Sequence, residues 1–341
     1  MDGDLSIRSM QERDTDGILA LLRLSLGDGS IPRTVEYWSW KHRKNPFGPS
    51  ATIVAESAGE VVGLRAFMRW TWQSCGKRIR AVRAVDTATH PSWRGRGIFT
   101  RLTLDLVEQM KDERVGFVFN TPNQFSRPGY LKMGWTDLGR VSLWIRPRAS
   151  IRLGRGVLQR IRRKPATEQT PPSGARYQSV RDLLSLPEMG RLEDFQTPND
   201  QGFRTVVDRQ YLKWRYADIP GFAYSAAWKH ESDGSVAVIF RQRQRGDLKE
   251  LRFCQILLSG PRSPRLAKEV MREVIKQTRP DYAVAMSSTE HEAKAFAFAG
   301  FFPVPRAGPI LTVRELNEGP GIVDPLERST WKLCIGDLEL F

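Results

Sequence analysis

The stretch Val85-Asp86-Thr87-Ala88-Thr89-His90-Pro91-Ser92-Trp93-Arg94-Gly95-Arg96-Gly97-Ile98-Phe99-Thr100 reads as a strand that stops at a proline, a turn of glycine and arginine, and the start of an apolar helix. Glycines let a backbone come close to a ligand. The N–H groups of a helix's first turn lack intrahelical acceptors, and the helix dipole adds positive character there. With Arg94 and Arg96 alongside, this turn suits a diphosphate. Two other phosphate loops are excluded, because the chain has no GxxxxGK-S/T and no GxGxxG after a first strand with an acidic residue about twenty positions on.

Working outward, a long strand from Arg78 to Thr89 feeds the turn, and a hairpin of Ala51–Glu56 and Val61–Trp72 precedes it. The chain opens with a short strand, Leu5 to Arg8, and a helix from an Asp14 cap towards Gly27. After the turn, Ile98, Leu102, Leu106 and Met110 recur every four residues on one face of a helix from Gly97 to Lys111. A strand from Val115 to Asn120, a short helix from Gln124 to Met133 and a last strand from Trp135 to Trp144 complete the unit.

The segment resembles the acetyl-CoA-binding motif of the GNAT (Gcn5-related) N-acetyltransferase superfamily, Q/R-x-x-G-x-G/A after the fourth strand. Arg94, Gly97 and Ile98 fit it, and Phe99 departs from it, since the family has Gly or Ala there. Asn123, Ser126, Tyr130 and Gly134-Trp135 resemble a second family signature after the fifth strand. The resemblance implies direct attack of a neutral amine on the acetyl-CoA thioester. It places the cofactor on Thr87, Ala88, Thr89, Arg94, Gly95, Arg96, Gly97, Ile98, Phe99, Asn123, Ser126 and Tyr130. Backbone N–H groups around Thr87–Thr89 would stabilise the oxyanion. Tyr130 would be the general acid for the departing thiolate, and Asp86 is the candidate base acting through water. Against these stand a packed tyrosine and an aspartate that merely ties loop amides. His90 is a weaker candidate base, and Glu56 and Glu60 read as solvated.

The chain has 341 residues, room for two domains, with 40% hydrophobic and 27% charged residues, which excludes a disordered chain. A repeat divides it: Tyr37-Trp38-Ser39-Trp40-Lys41 with Pro46 recurs 174 residues on as Tyr211-Leu212-Lys213-Trp214-Arg215 with Pro220. Strand, helix and strand signals follow in the same order, ending at Gly300-Phe301 as the first set ends at Gly134-Trp135. The counterpart of the diphosphate turn, Ser259-Gly260-Pro261-Arg262-Ser263-Pro264-Arg265, has no RGxG and two prolines without N–H groups. The expected fold is α+β: two tandem GNAT-like domains, each a mixed, mostly antiparallel sheet flanked by helices. Residues 1–148 form the catalytic domain, 149–175 a basic linker, and 176–341 a degenerate domain that shapes or supports the acceptor site.

The resemblance to a tandem bacterial subset implies an amino-sugar acceptor, nucleotide-linked or in polysaccharide or glycolipid biosynthesis. A longer acyl-CoA remains an alternative donor. Net charge +15 favours anionic partners without choosing among them. Residues 146–164 are arginine-rich with interspersed Ile, Leu and Val, compatible with a membrane-surface helix or a packed linker helix. No helix-turn-helix, zinc finger, RRM or KH signature supports nucleic-acid binding. A catalytically inactive GNAT-like binding protein, or a basic nucleic-acid- or membrane-surface-binding protein, stands as the alternative. Three scattered cysteines match no zinc or disulfide framework, so no metal is expected, and the location expected is cytoplasmic. The crowded aromatics Trp38, Trp40, Phe47, Phe67, Trp70 and Trp72 read as packing before sugar stacking.

Overall fold

The computed structural model describes residues 5–27, 31–148, 166–168, 177–190, 202–287, 289–317 and 323–338. Its strands are β1 (Ser6–Ser9), β2 (Ala51–Ser57), β3 (Glu60–Ser74), β4 (Lys77–Thr89), β5 (Phe117–Asn120), β6 (Thr136–Arg140), β7 (Leu143–Pro147), β8 (Ala166–Glu168), β9 (Gln178–Ser179), β10 (Arg204–Thr205), β11 (Ser225–Glu231), β12 (Gly234–Arg245), β13 (Leu248–Ser259), β14 (Tyr282–Ala285), β15 (Phe302–Val304) and β16 (Ile310–Glu315). They form two mostly antiparallel sheets, one ordered β1-β2-β3-β4-β5-β16-β6 and the other β9-β11-β12-β13-β14-β7-β15. Short β10 and β8 add to β3 and β12 respectively. In the first half the helices are α1 (Thr15–Leu26), α2 (Val35–His42), α3 (Ile98–Asp112) and α4 (Arg127–Lys132). This is the α+β architecture expected.

The two sheets carry the same strand order, and each takes one strand from the other half of the chain. β16 lies between β5 and β6, and β7 lies between β14 and β15. The single strand expected over Trp135–Trp144 is therefore broken. Residues 136–140 stay in the first sheet, and 143–147 cross to the second. The break is pinned at Val141, whose N–H donates to Pro309 O at 3.0 Å while Gly308 N–H donates to Val141 O at 2.8 Å. A Cβ on Gly308 would lie 2.2 Å from Val141 Cγ2, so only glycine permits this crossing.

The exchanged strands are tied in alike. Arg314 of β16 donates to Met133 O at 2.6 Å beside Gly134, and Arg146 of β7 donates to Ala299 O at 2.8 Å beside Gly300. The repeated aromatic motifs meet one another. Trp40 Nε1 donates to Trp214 O at 2.7 Å, Trp214 Nε1 donates to Trp40 O at 2.8 Å, and the rings stack at 5.1 Å. Trp38, Trp40, Phe67, Trp70 and Trp72 are buried, so these aromatics are packing residues, with Phe47 stacked on Tyr211.

The central strands read as near-continuous apolar runs because both faces are covered. One face of the first sheet carries α3, whose Ile98, Leu102, Leu106 and Met110 are all buried as the four-residue spacing predicts. The other face carries α1 and α2 and meets the second half through Trp70, Trp72, Phe117, Phe119 and Trp331. Residues 149–165 and 169–176, most of the basic segment and linker, lie outside the described residues. Among the described residues no helix is long and apolar enough to cross a membrane.

Candidate functional site

β4 and β5 are parallel and hydrogen-bonded only where Ala81, Val82 and Arg83 face Phe117, Val118 and Phe119. Beyond that β4 runs on to Thr89 paired with β3 alone, while β5 stops at Asn120. Thr87, Ala88 and Thr89 thus present a backbone edge to an opening between two diverging strands. A turn over Pro91–Trp93 leads from that edge into the glycine turn.

Gly97 caps α3 in the left-handed conformation (φ +74°) and offers no side chain to the helix N–H groups. Gly95 also has positive φ, and among the described residues nothing lies within 4 Å of a Cβ added at either position. Arg94, Gly95, Arg96 and Gly97 are all exposed, and Arg96 rests on the Trp93 ring at 4.6 Å. Ile98 is buried beneath them. An open, uncapped helix start flanked by arginines fits a diphosphate on physical grounds alone. Asn123 organises the opposite wall, its Oδ1 accepting from Phe125 N and Ser126 N at 2.9 Å each and from Ser126 Oγ at 3.2 Å. That cap starts the turn into α4.

Phe99, which departs from the family pattern, faces inward. Its ring meets Tyr130 edge-on at 5.6 Å, and a Cβ on Gly129 would stand 3.0 Å from it, so Gly129 makes room for that ring. Its backbone N–H stays in the first turn of α3. Tyr130 is 3% exposed, between Phe99 and Trp135. Behind them lies a residue the sequence reading missed, Arg65 of β3. It is fully buried, and among the described residues none of its three nitrogens has a hydrogen-bond partner. Its guanidinium sits 4.9, 5.8 and 5.3 Å from the ring centres of Phe67, Phe99 and Tyr130. An unpaired buried cation is costly, and three aromatic faces offset only part of that cost. Its signal in the sequence was an arginine in register with Gly63 and Phe67, the β3 positions that face the helix layer.

Asp86 faces the other way. It is the extra residue of a β4 bulge between the Ala66–Val85 and Arg65–Thr87 pairs, with φ +25°. Its Oδ2 accepts from Lys41 Nζ at 2.7 Å and His42 Nε2 at 2.8 Å. Burial alone would raise its pKa, but the Lys41 ammonium, helped by His42, holds this carboxyl far below the usual range. Asp86 and Tyr130 therefore stand on opposite faces of the sheet at the strand opening. Beside Asp86 a cavity of about 10 Å³, lined also by Leu22, Ile31, Trp38 and His42, has about the volume of one water. His90 is spent locally, accepting from Ser92 N at 3.3 Å, and Glu56 binds Arg8.

Since Asp86 is an acceptor only, His42 carries its proton on Nε2, and Nδ1 accepts from Ser50 Oγ at 3.0 Å. Burial pushes the imidazole below its ordinary 6.5, against the pull of Asp86. The unfolded chain then binds the proton more readily, so stability is complete above 6.5 and is lost as pH falls towards the folded-state value. The urea midpoint should drop over the acid interval below pH 6.5, and His42→Gln should flatten that slope. A wild-type midpoint level across the interval would contradict this account.

The second half closes the equivalent place. A Cβ on Gly260 would sit 2.5 Å from Asp233 O, and Arg262 is bound to Asp233 across the β11–β12 turn at 3.3 Å. Ser263 N–H donates to Gly260 O, and Pro264 has no N–H to give at the start of the helix Ser263–Thr278. The hairpin turn fills the space that is open at Gly95 and Gly97.

Residues 6–137 match the family model described as an acetyltransferase (GNAT) domain. No curated protein sequence matches the chain. Among solved structures, a GCN5-related N-acetyltransferase from Anabaena variabilis is similar with TM-score 0.63 at 13% identity, covering 92% of this chain and 73% of that one. A probable N-acyltransferase from Enterococcus faecalis gives 0.62 at 11%, with the same coverage of each chain. Saccharomyces cerevisiae N-myristoyltransferase, solved with myristoyl-CoA, gives 0.53 at 10%, covering 100% of this chain and 86% of that one. At these identities the likeness is one of fold.

Proposed function

We propose that the protein is an acyl-CoA-dependent N-acyltransferase, with acetyl-CoA as donor and a primary amine as acceptor. The observation that carries this reading is the open, uncapped start of α3 at Gly95–Gly97, set beside the diverging ends of β4 and β5. The first-turn N–H groups of α3, with Arg94 and Arg96, hold the donor's diphosphate. The free edge of Thr87–Thr89 polarises the thioester carbonyl. The amine nitrogen attacks that carbon and the carbon–sulfur bond breaks. Tyr130 gives its hydroxyl proton to the departing thiolate, and Arg65 stabilises the negative charge as it develops. Asp86, held ionised by Lys41, orients the attacking amine, whose proton leaves to water. An amino sugar is the acceptor class we propose, carried over from the sequence resemblance.

Calorimetric titration of acetyl-CoA, followed by thiol release with a panel of amines that includes nucleotide-linked amino sugars, tests the reading. Tyr130→Phe should bind acetyl-CoA as wild type does but transfer its acetyl group about 10²–10⁴-fold more slowly. Equal loss of affinity and rate would remove Tyr130 from the acid role. Absence of saturable binding by folded wild type would defeat the enzyme reading.

A further inference from the structure

The second half contains an opening of its own, on the face that meets the first half. A cavity of about 310 Å³ lies there, among β7, β13, β14, the segment before β16 and the helix Ile335–Leu338. Its floor includes buried Glu250, Tyr282 and Val284, and exposed Arg140 and Pro309 stand at its rim.

The sheet correspondence shows what this space replaces. Gly116 N–H donates to Arg80 O at 2.9 Å, and Asp281 N–H donates to Lys249 O at 2.9 Å. The parallel pairs Ala81–Phe117 and Arg83–Phe119 therefore match Glu250–Tyr282 and Arg252–Val284. In the first half, Phe117 and Phe119 fill this face, packed on Phe203 and Trp331 at ring distances of 5.3 to 5.8 Å. In the second half an alanine has become a glutamate, one phenylalanine a tyrosine and the other a valine. The Glu250 carboxylate accepts from the Tyr282 hydroxyl and from Arg252. A half that had merely lost a ligand site would be expected to fill the space with apolar side chains, as the first half does here. Instead it keeps apolar walls, Leu143, Ile145 and Met286, around convergent polar groups.

We infer that this cavity binds a small amphipathic anion, a carboxylate or phosphate carried on an apolar body. Among the described residues three arginines, Arg140, Arg245 and Arg252, line it against one carboxylate, Glu250, so the field of that lining favours an anion. Its volume is at the lower end for ligand pockets, which fits a metabolite-sized molecule rather than a polymer. The inference does not rest on the acyltransferase reading, because the cavity shares no residue with the diphosphate turn.

The test titrates the full chain with benzoate and phenyl phosphate, using benzylamine and inorganic phosphate as probes that lack the charge or the body. Saturable binding of at least one aromatic anion is expected, at least tenfold tighter than either control. Val284→Phe restores the side chain found at the matching first-half position and should abolish that binding. Arg245→Gln, a milder change, should weaken it at least fivefold. Acetyl-CoA titration of both variants reports on the other site and should be unchanged. Failure of both aromatic anions to saturate, or equal affinity in wild type and Arg245→Gln, overturns the inference.

Discussion

Gly97→Asp is expected to lose at least 100-fold in acetyl-CoA affinity while the protein unfolds within a few degrees of wild type. Gly97 is exposed, and a Cβ added there has no atom within 4 Å, so the new side chain meets no clash. Its φ of +74° is one that aspartate tolerates better than most residues, and a carboxylate at the start of a helix is favourable in itself. The fold should therefore survive. The same carboxylate occupies the place where α3 offers its N–H groups. Two unit charges 4 Å apart repel by about 1 kcal/mol in water and about 4 kcal/mol at an effective dielectric of 20. An exposed loop lies between these limits, and a diphosphate carries more than one charge, so about 3 kcal/mol, or 100-fold, is a fair floor. Calorimetry in moderate salt reads the affinity, and thermal unfolding reads the fold. Affinity within threefold of wild type would place the diphosphate elsewhere.

The strand, turn and helix of residues 85–100 were legible because their signals are local: that stretch specifies strand end, glycine turn and helix start without help from the rest of the chain. The helix layers were legible for the same reason, through four-residue spacing in α3. The exchange of β7 and β16 was not. A strand's own sequence says that it pairs with a sheet, and β6 and β7 together read as one strand because Val141, between Arg140 and Ser142, continues the apolar–polar alternation into Leu143 and Ile145. Only the close approach of Gly308, from 167 residues away, reveals the break.

The repeated Tyr-x-x-Trp-basic motif was visible as a repeat, but its purpose lies in the contact between Trp40 and Trp214, which no single copy encodes. The same repeat placed Lys41 among its basic residues without showing that it is buried against Asp86. Burial changes the reading of that aspartate: beside a buried ammonium it stays ionised, a firm anchor and a weak base. Phe99 looked like a departure from the cofactor motif until Gly129, Tyr130 and Arg65 were seen around it. A residue that breaks a local pattern is then part of a box built from three elements.

Arg65→Met should make the protein more stable and a poorer catalyst at once. The guanidinium is wholly buried and has no hydrogen-bond partner among the described residues at any of its three nitrogens, so folding strips its water and returns ring contacts. Replacing a buried ionic group by an apolar side chain of similar length is often neutral or stabilising by about 1–4 kcal/mol, and methionine sulfur packs well on aromatic rings. Urea unfolding should show that gain. Under the proposed function the charge acts on the reaction: fixed beside Tyr130, it would stabilise negative charge as the thiolate leaves. For a charge formed about as far from the guanidinium as the Tyr130 ring centre, roughly 5 to 6 Å, an effective dielectric of 20 gives about 3 kcal/mol. Arg65→Met should accordingly lower kcat by about 100-fold and leave the KM for acetyl-CoA nearly unchanged, since the stabilised charge exists only in the transition state. A residue that merely packs would give the opposite pattern, lower stability with kcat preserved, and that result would assign Arg65 to the core. Stability gained with activity lost is a pairing that a structural role does not produce.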